Sequence, residues 1–232
     1  MALPALIQAR MSSRRLPGKV LRAVRGRPMI SYLIDRLERC QALSSIAVAT
    51  STEPSDDAIF RFCTDQKLKC VRGELDKVVQ RLLGAAEQTG AGAFLRISAD
   101  SPLMDPKVVD EAVRLFEAGE FDIVTNVFPR SFPKGQSVEV ISVASLRRVS
   151  TETSNAYDLE HVTPFIYGNP AKFRIRNFSC QKDLSAIQMS VDSESDFQAF
   201  ASLVGRMTKP HWQYSLDDLL ALREDAAPQG AR

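Results

Sequence analysis

The chain has 232 residues, 44% hydrophobic, 25% charged and 7% aromatic, enough apolar material for one large or two small domains with a buried core, which excludes disorder as its main state. Thirty Lys and Arg against 28 Asp and Glu leave a formal charge of +2, too near neutrality for a surface that grips nucleic acid or anionic lipid as a whole. No apolar run approaches the roughly 18 residues of a membrane-spanning helix, and the first residues lack the basic and apolar regions of an export signal, so a cytoplasmic protein without a membrane partner is expected.

A first strand is expected over residues 5–9, followed by a polar, basic segment over 10–19. Pro28 suits a first helical turn, and Met29, Leu33, Ile34 and Leu37 then fall on one helical face. A buried strand over 46–50 leads to a helix opened by Ser55, with Asp56 and Asp57 in its first turn, and then to a short strand near Cys70 and Val71. A helix over 78–86, a strand over 93–97 that ends at Asp100, a helix over 106–116 and a strand over 123–125 continue the alternation. This rhythm predicts a Rossmann-like α/β fold: a mostly parallel sheet with helices on both faces, because parallel neighbours need right-handed crossovers.

Beyond residue 128 the alternation loosens. A turn at Pro133 and Gly135 precedes a strand over 138–142, helical stretches near Leu146 and over 160–167, and strands over 173–177 and 187–191. Closing helices are expected over 195–207 and 215–223, with a flexible tail over 224–232. Cys40, Cys63, Cys70 and Cys180 are too few for a disulfide scaffold and are expected as free thiols; with His161 and His211 distant from them, no zinc-ligand spacing arises.

The segment QARMSSRRLPGKVL follows the first strand directly. Ligands of open α/β sheets bind beyond the carboxyl ends of the strands, where free backbone N–H groups and fixed cations suit a polyphosphate. Seven basic residues, Arg10, Arg14, Arg15, Lys19, Arg22, Arg25 and Arg27, lie between positions 10 and 27 with no acid among them. With Ser12, Ser13 and Gly18 they suggest a phosphate loop, the alternative being a solvated basic surface; the spacing is neither Walker-type nor a dinucleotide fingerprint. In RISADSPLMD a strand delivers Asp100 to the same edge. A carboxylate there can hold a divalent cation together with phosphate oxygens, and Asp192 in SVDSESDF is the candidate second acid, though taken alone it reads more readily as a helix cap. Asp105, before Pro106, reads as an N-cap.

With these residues stand GRPMI, VATS, RISADSPLMDP, VDSESDF, FPKGQSVEV and EHVTPFIY. Together the motifs resemble the sugar-activating cytidylyltransferases, in particular the spore-coat polysaccharide cytidylyltransferase-like proteins related to CMP-Kdo and CMP-sialate synthetases. The resemblance spans residues 6 to about 200. It implies a fold of the nucleotide-diphospho-sugar transferase type, CTP and an acidic sugar as substrates, Mg²⁺ (or Mn²⁺) as metal, and a homodimer; no nucleic-acid partner is expected, since the basic stretch lacks interleaved aromatics and the chain is nearly neutral. It also implies one domain over 1–223, with a nucleotide half over about 1–127 and a sugar-binding and dimerisation half over about 128–223.

Carried over position by position, Ala9, Arg10, Ser13, Arg15 and Lys19 match the triphosphate loop, and Arg14 stands where a small polar residue is common. Asp100 and Asp192 match metal-binding positions, and Arg81 matches an arginine near the nucleotide, with a helix-surface ion pair as the alternative. Gly135, Glu139, Glu160 and His161 match the sugar side, where His161 could instead be a packed or helix-terminal histidine. Arg10, Lys19 and Asp100 are the expected catalytic residues. Three departures stand out: Ser137 replaces a carboxylate, Leu159 replaces an arginine, and Ala99 replaces a glycine. They touch the acceptor side more than the nucleotide, so a non-catalytic nucleotide or nucleotide-sugar binding paralogue is the alternative to an enzyme that transfers CMP and releases pyrophosphate.

Overall fold

A computed structural model describes residues 2–224; the tail expected over 224–232 lies, apart from Glu224, outside the described residues. The chain runs β1 (Leu3–Gln8), β2 (Ala23–Val24), β3 (Arg27–Pro28), α1 (Met29–Leu37), β4 (Leu43–Ser51), α2 (Asp57–Asp65), β5 (Lys69–Gly73), α3 (Val78–Glu87), β6 (Ala93–Ser98) and α4 (Pro106–Glu117). It continues with β7 (Ile123–Thr125), β8 (Glu139–Ser142), α5 (Val143–Glu152), α6 (Ala156–His161), α7 (Pro164–Gly168), β9 (Ile175–Asn177), α8 (Glu194–Gly205) and α9 (Leu216–Glu224).

Seven strands form one sheet in the order β5-β4-β1-β6-β8-β7-β9. β5, β4, β1 and β6 are parallel, β8 runs antiparallel to both β6 and β7, and β9 is parallel to β7. Alternate side chains of a strand point to opposite faces, and β1 uses both. Ala5 and Ile7 enter the apolar cluster built on α1, α2 and α4, whereas Leu6 enters the one built on α3 and α5. This interior strand is therefore apolar from Leu3 to Ile7, as a sheet covered on both faces requires. This is the expected α/β fold with a mostly parallel mixed sheet.

Four expectations are corrected. The strand over 187–191 does not form; Gln188 makes only an isolated bridge to Lys134. The helix over 160–167 is two helices, α6 and α7, because Val162 leaves the helical region and Pro164, in the first turn of α7, has no N–H to donate back to α6. Val162 at the break has φ +77°, and α6 begins earlier than expected, where the Asn155 side chain accepts from Tyr157 N at 2.9 Å. Ser55 does not cap α2, since Pro54–Asp56 forms a 3-10 turn that turns the Asp56 carboxylate inward. The strand over 173–177 starts only at Ile175, with Phe173 buried in the core. Asp105 does cap α4, accepting from Lys107 N at 2.9 Å. The four cysteines are free.

One buried cation ties the end of the chain to the sheet. Arg36 of α1, fully buried, donates to Met104 O at 2.5 Å, to Tyr214 O at 2.7 Å and to His211 O. The fold thereby presses the 188–216 region against α1 and the carboxyl edge of the sheet, which brings Asp192 toward the N-terminal loop.

Candidate active site

β1 and β6 end side by side, with Ala99 N donating to Gln8 O at 3.0 Å. The loop after β1 is closed on itself by Gly18 N to Met11 O at 2.8 Å. Its root is fixed by Asp56, which is wholly buried and accepts from Met11 N at 2.7 Å, Ser51 N at 3.0 Å, Thr50 Oγ1 at 3.1 Å and the Ser51 hydroxyl. A buried carboxylate is tolerated when it is hydrogen-bonded this fully, and here it anchors the basic loop to the end of β4.

From that loop Lys19 reaches inward. Its buried Nζ lies 3.3 Å from Asp100 Oδ2, 3.1 Å from Asp192 Oδ1 and 2.6 Å from Val191 O. Val191 N donates to Asp100 O at 2.8 Å, so the backbone fastens the two acidic segments to each other. Arg15 approaches Asp192 from the solvent side at 3.1 Å. Arg10 pairs with Glu160 of α6 at 3.2 Å, and the His161 ring, exposed at the helix end, lies 4.4 Å from that of Tyr157. Ala9, Arg10, Ser13, Arg15, Lys19, Asp100, Asp192, Glu160 and His161 all line one cavity of about 580 Å³.

A second cavity of about 290 Å³ shares Arg96, Ser98 and Asp100 with the first and extends to Gly135, Ser137 and Glu139. Glu139 is buried and forms a hub: Arg96 donates to it at 2.5 Å, Thr163 Oγ1 at 2.9 Å and the Tyr167 hydroxyl at 2.7 Å. Burial, then the Glu139 charge, pushes the Tyr167 hydroxyl pKa well above its usual range and keeps it a donor. Gly135 has φ +95°, and a Cβ there would sit 2.5 Å from Ser190 N, so only glycine lets the 133–137 turn approach that strand-like segment.

Arg81 is placed differently from its expectation. Nearly fully buried, it lies behind the cavity wall and donates to Glu74 O at 2.7 Å and Leu75 O at 3.0 Å. It holds the loop from which Leu75 and Asp76 line the cavity, and it does not line the cavity itself. Burial lowers its pKa. Leu159 packs against the apolar cluster of α3 and α5. Asp56 and Arg96 were missed as site residues; the signals were an acid just beyond a strand end in VATSTEPSDD and a lone charge inside the apolar strand AFLRIS.

The donor set suits Mg²⁺. Asp100 and Asp192, each about a quarter exposed, already converge on one cation, the Lys19 ammonium. No group of three or more His, Cys, Asp or Glu able to hold a metal occurs among the described residues. Two carboxylates that leave the remaining positions to phosphate and water match the usual habit of Mg²⁺.

An open α/β sheet with a cationic loop and two aspartates at its carboxyl edge has the form of a nucleotide-binding protein. The chain belongs to the cytidylyltransferase family, whose model matches residues 4–221, and it is an enzyme of that family. It is 27% identical over 208 residues to the spore coat polysaccharide biosynthesis protein SpsF of Bacillus subtilis, covering 85% of this chain and 84% of that protein. It is 30% identical over 113 residues to the 3-deoxy-manno-octulosonate cytidylyltransferase of Geobacter sulfurreducens, covering 49% of this chain and 44% of that one. The solved structure of a cytidylyltransferase from Leptospira borgpetersenii superposes with a TM-score of 0.91 at 26% identity, covering 97% of this chain and 95% of that one. Among the described residues no helix is long and apolar enough to cross a membrane.

Proposed function

We propose that the protein transfers CMP from CTP to a hydroxyl of an acidic, 2-keto-3-deoxy-type sugar and releases pyrophosphate, activating the sugar for surface polysaccharide synthesis. The observation that carries this reading is the convergence of Lys19 on Asp100 and Asp192 beneath the basic loop. The names of the relatives, a polysaccharide biosynthesis protein and a 3-deoxy-manno-octulosonate cytidylyltransferase, support the substrate class.

The acceptor oxygen forms a bond to the α-phosphorus while the bridging bond to the β-phosphate breaks, its electron pair leaving with pyrophosphate and the hydroxyl proton passing to solvent. Arg10, Ser13, Arg15 and Lys19 bind the triphosphate and neutralise charge that grows on the leaving group. The second cavity holds the acceptor, and because it shares Asp100 with the first, the attacking oxygen is positioned beside the α-phosphate. Asp100 and Asp192 would hold Mg²⁺ (or Mn²⁺), which supplies polarisation of the phosphoryl oxygens when bound. Glu139 keeps Arg96 oriented at the junction of the two cavities.

A pyrophosphate-release screen tests this: each nucleoside triphosphate, Mg²⁺ or Mn²⁺, and a panel of 2-keto-3-deoxy acids. Release that requires CTP together with one such acid is the expected result. Release with no pair, alongside CTP binding, overturns transfer in favour of a binding protein.

A further inference from the structure

Two cations line the second cavity with nothing of opposite charge bonded to them among the described residues. Among these residues the Arg130 guanidinium makes a single hydrogen bond, to the neutral Ser137 hydroxyl at 2.9 Å. It is only partly exposed, and burial lowers its pKa, while Glu139, the carboxylate whose charge acts on it, is engaged by Arg96, Thr163 and Tyr167. Among the described residues the Lys134 ammonium has no hydrogen bond or ion pair. Its backbone nevertheless is pinned, with Lys134 N donating to Ile187 O at 2.9 Å and Met189 N donating to Lys134 O at 2.8 Å. Both side chains line the cavity that holds Gly135 and Ser137.

With one donor on Ser137, the other N–H donors of Arg130 meet no protein acceptor among the described residues and are open to solvent, where a ligand can take them. Several exposed arginines are paired with carboxylates instead: Arg22 with Glu194, Arg114 with Glu111 and Arg174 with Asp122. The planar donor fork of Arg130 beside a point charge fixed at Lys134 suits a carboxylate or a phosphate. Ser137 contributes to this arrangement by staying neutral, since a carboxylate at that position would take up the guanidinium.

We propose that Arg130 and Lys134 form an anion subsite that selects acceptors by a carboxylate or phosphate group, held across the second cavity from Asp100. The subsite rests on the transfer reading, because the acceptor is that reaction's second substrate. It commits this chain to an anionic acceptor and names the side chains that discriminate against neutral sugars.

The test uses the full chain saturated with CTP and Mg²⁺, so that the triphosphate loop is filled, and inorganic phosphate as probe, followed by its ³¹P linewidth. The subsite predicts saturable broadening whose dissociation constant rises at least tenfold in Arg130→Gln and in Lys134→Gln, with Arg130→Lys retaining more affinity than Arg130→Gln. CTP affinity should stay within twofold in all three. Displacement of phosphate by pyruvate identifies a carboxylate as the natural group, and displacement by methyl phosphate alone identifies a phosphate ester. Broadening that is absent, that survives in the double variant, or that falls only in parallel with CTP affinity overturns the subsite. A chain that binds phosphate in the expected pattern yet releases no pyrophosphate with any acid sinks the transfer reading and leaves the subsite standing.

Discussion

Lys19 and Asp192 stand 173 residues apart in the chain, yet the lysine Nζ lies 3.1 Å from Asp192 Oδ1 and on its other side 3.3 Å from Asp100 Oδ2. One buried ammonium thus joins the first loop of the fold to the segment that leads into α8. Lys19→Met keeps the stem and removes the charge, leaving two carboxylates facing each other without their common cation. Loss of one such contact costs about 2.7–4 kcal/mol of transition-state stabilisation, so kcat/KM for CTP should fall roughly 10²- to 10³-fold, measured as pyrophosphate release.

Asp56 lines neither of the two site cavities, but its substitution should weaken both stability and the site. Asp56→Ala leaves the Met11 and Ser51 amides and two hydroxyls without their acceptor. Buried donors left in that state cost about 1–3 kcal/mol each when water cannot reach them. The urea midpoint should drop by at least the equivalent of about 3 kcal/mol, and KM for CTP should rise because the loop root is released. Asp56→Asn, which keeps one acceptor oxygen, should lose less on both measures.

Two glycines should respond oppositely to alanine. At Gly135 a Cβ meets Ser190 N at 2.5 Å and the φ is +95°, whereas at Gly84, in α3, nothing lies within 4 Å. Gly135→Ala should destabilise by about 1–3 kcal/mol through backbone strain and impair acceptor use before CTP binding. Gly84→Ala should stabilise by about 0.5–1 kcal/mol through helix propensity. Thermal unfolding and steady-state kinetics of the pair check both halves.

Stability should depend on pH through His211. The buried ring has Nε2 3.0 Å from Asp35 Oδ2, while Nδ1 has no hydrogen-bond partner. Burial holds its pKa below the ordinary 6.5, outweighing the attraction of Asp35. The unfolded chain therefore takes up a proton more readily than the native one. Stability from this group is present above pH 6.5 and declines as pH falls from there through the lower native pKa. The melting temperature of wild type should drop between pH 7.5 and 5.5 more steeply than that of His211→Gln.

Much of this architecture is legible in the sequence because it rests on local patterns. The 3.6-residue spacing of Met29, Leu33, Ile34 and Leu37 forms α1, and strand-then-loop placement brings Arg10, Lys19 and Asp100 to one edge. What escaped depends on distant partners. The sequence contains no sign that β8 slots antiparallel between β6 and β7, which depends on a turn held by Gln136 Nε2 to Leu103 O at 2.8 Å. The 187–191 segment has strand composition, but it finds a loop at Lys134 rather than a sheet edge. Arg81 matched a motif yet points to loop carbonyls, since motif position fixes the backbone site and packing fixes the side chain.

The most direct measurement is CTP-dependent pyrophosphate release by wild type and Asp100→Asn at matched concentration, with CTP binding followed by calorimetry on the same samples. The account predicts that Asp100→Asn keeps its melting temperature, and loses at least 100-fold of turnover, consistent with the removal of one charge contact at the reacting phosphate. Unchanged turnover in Asp100→Asn would contradict it.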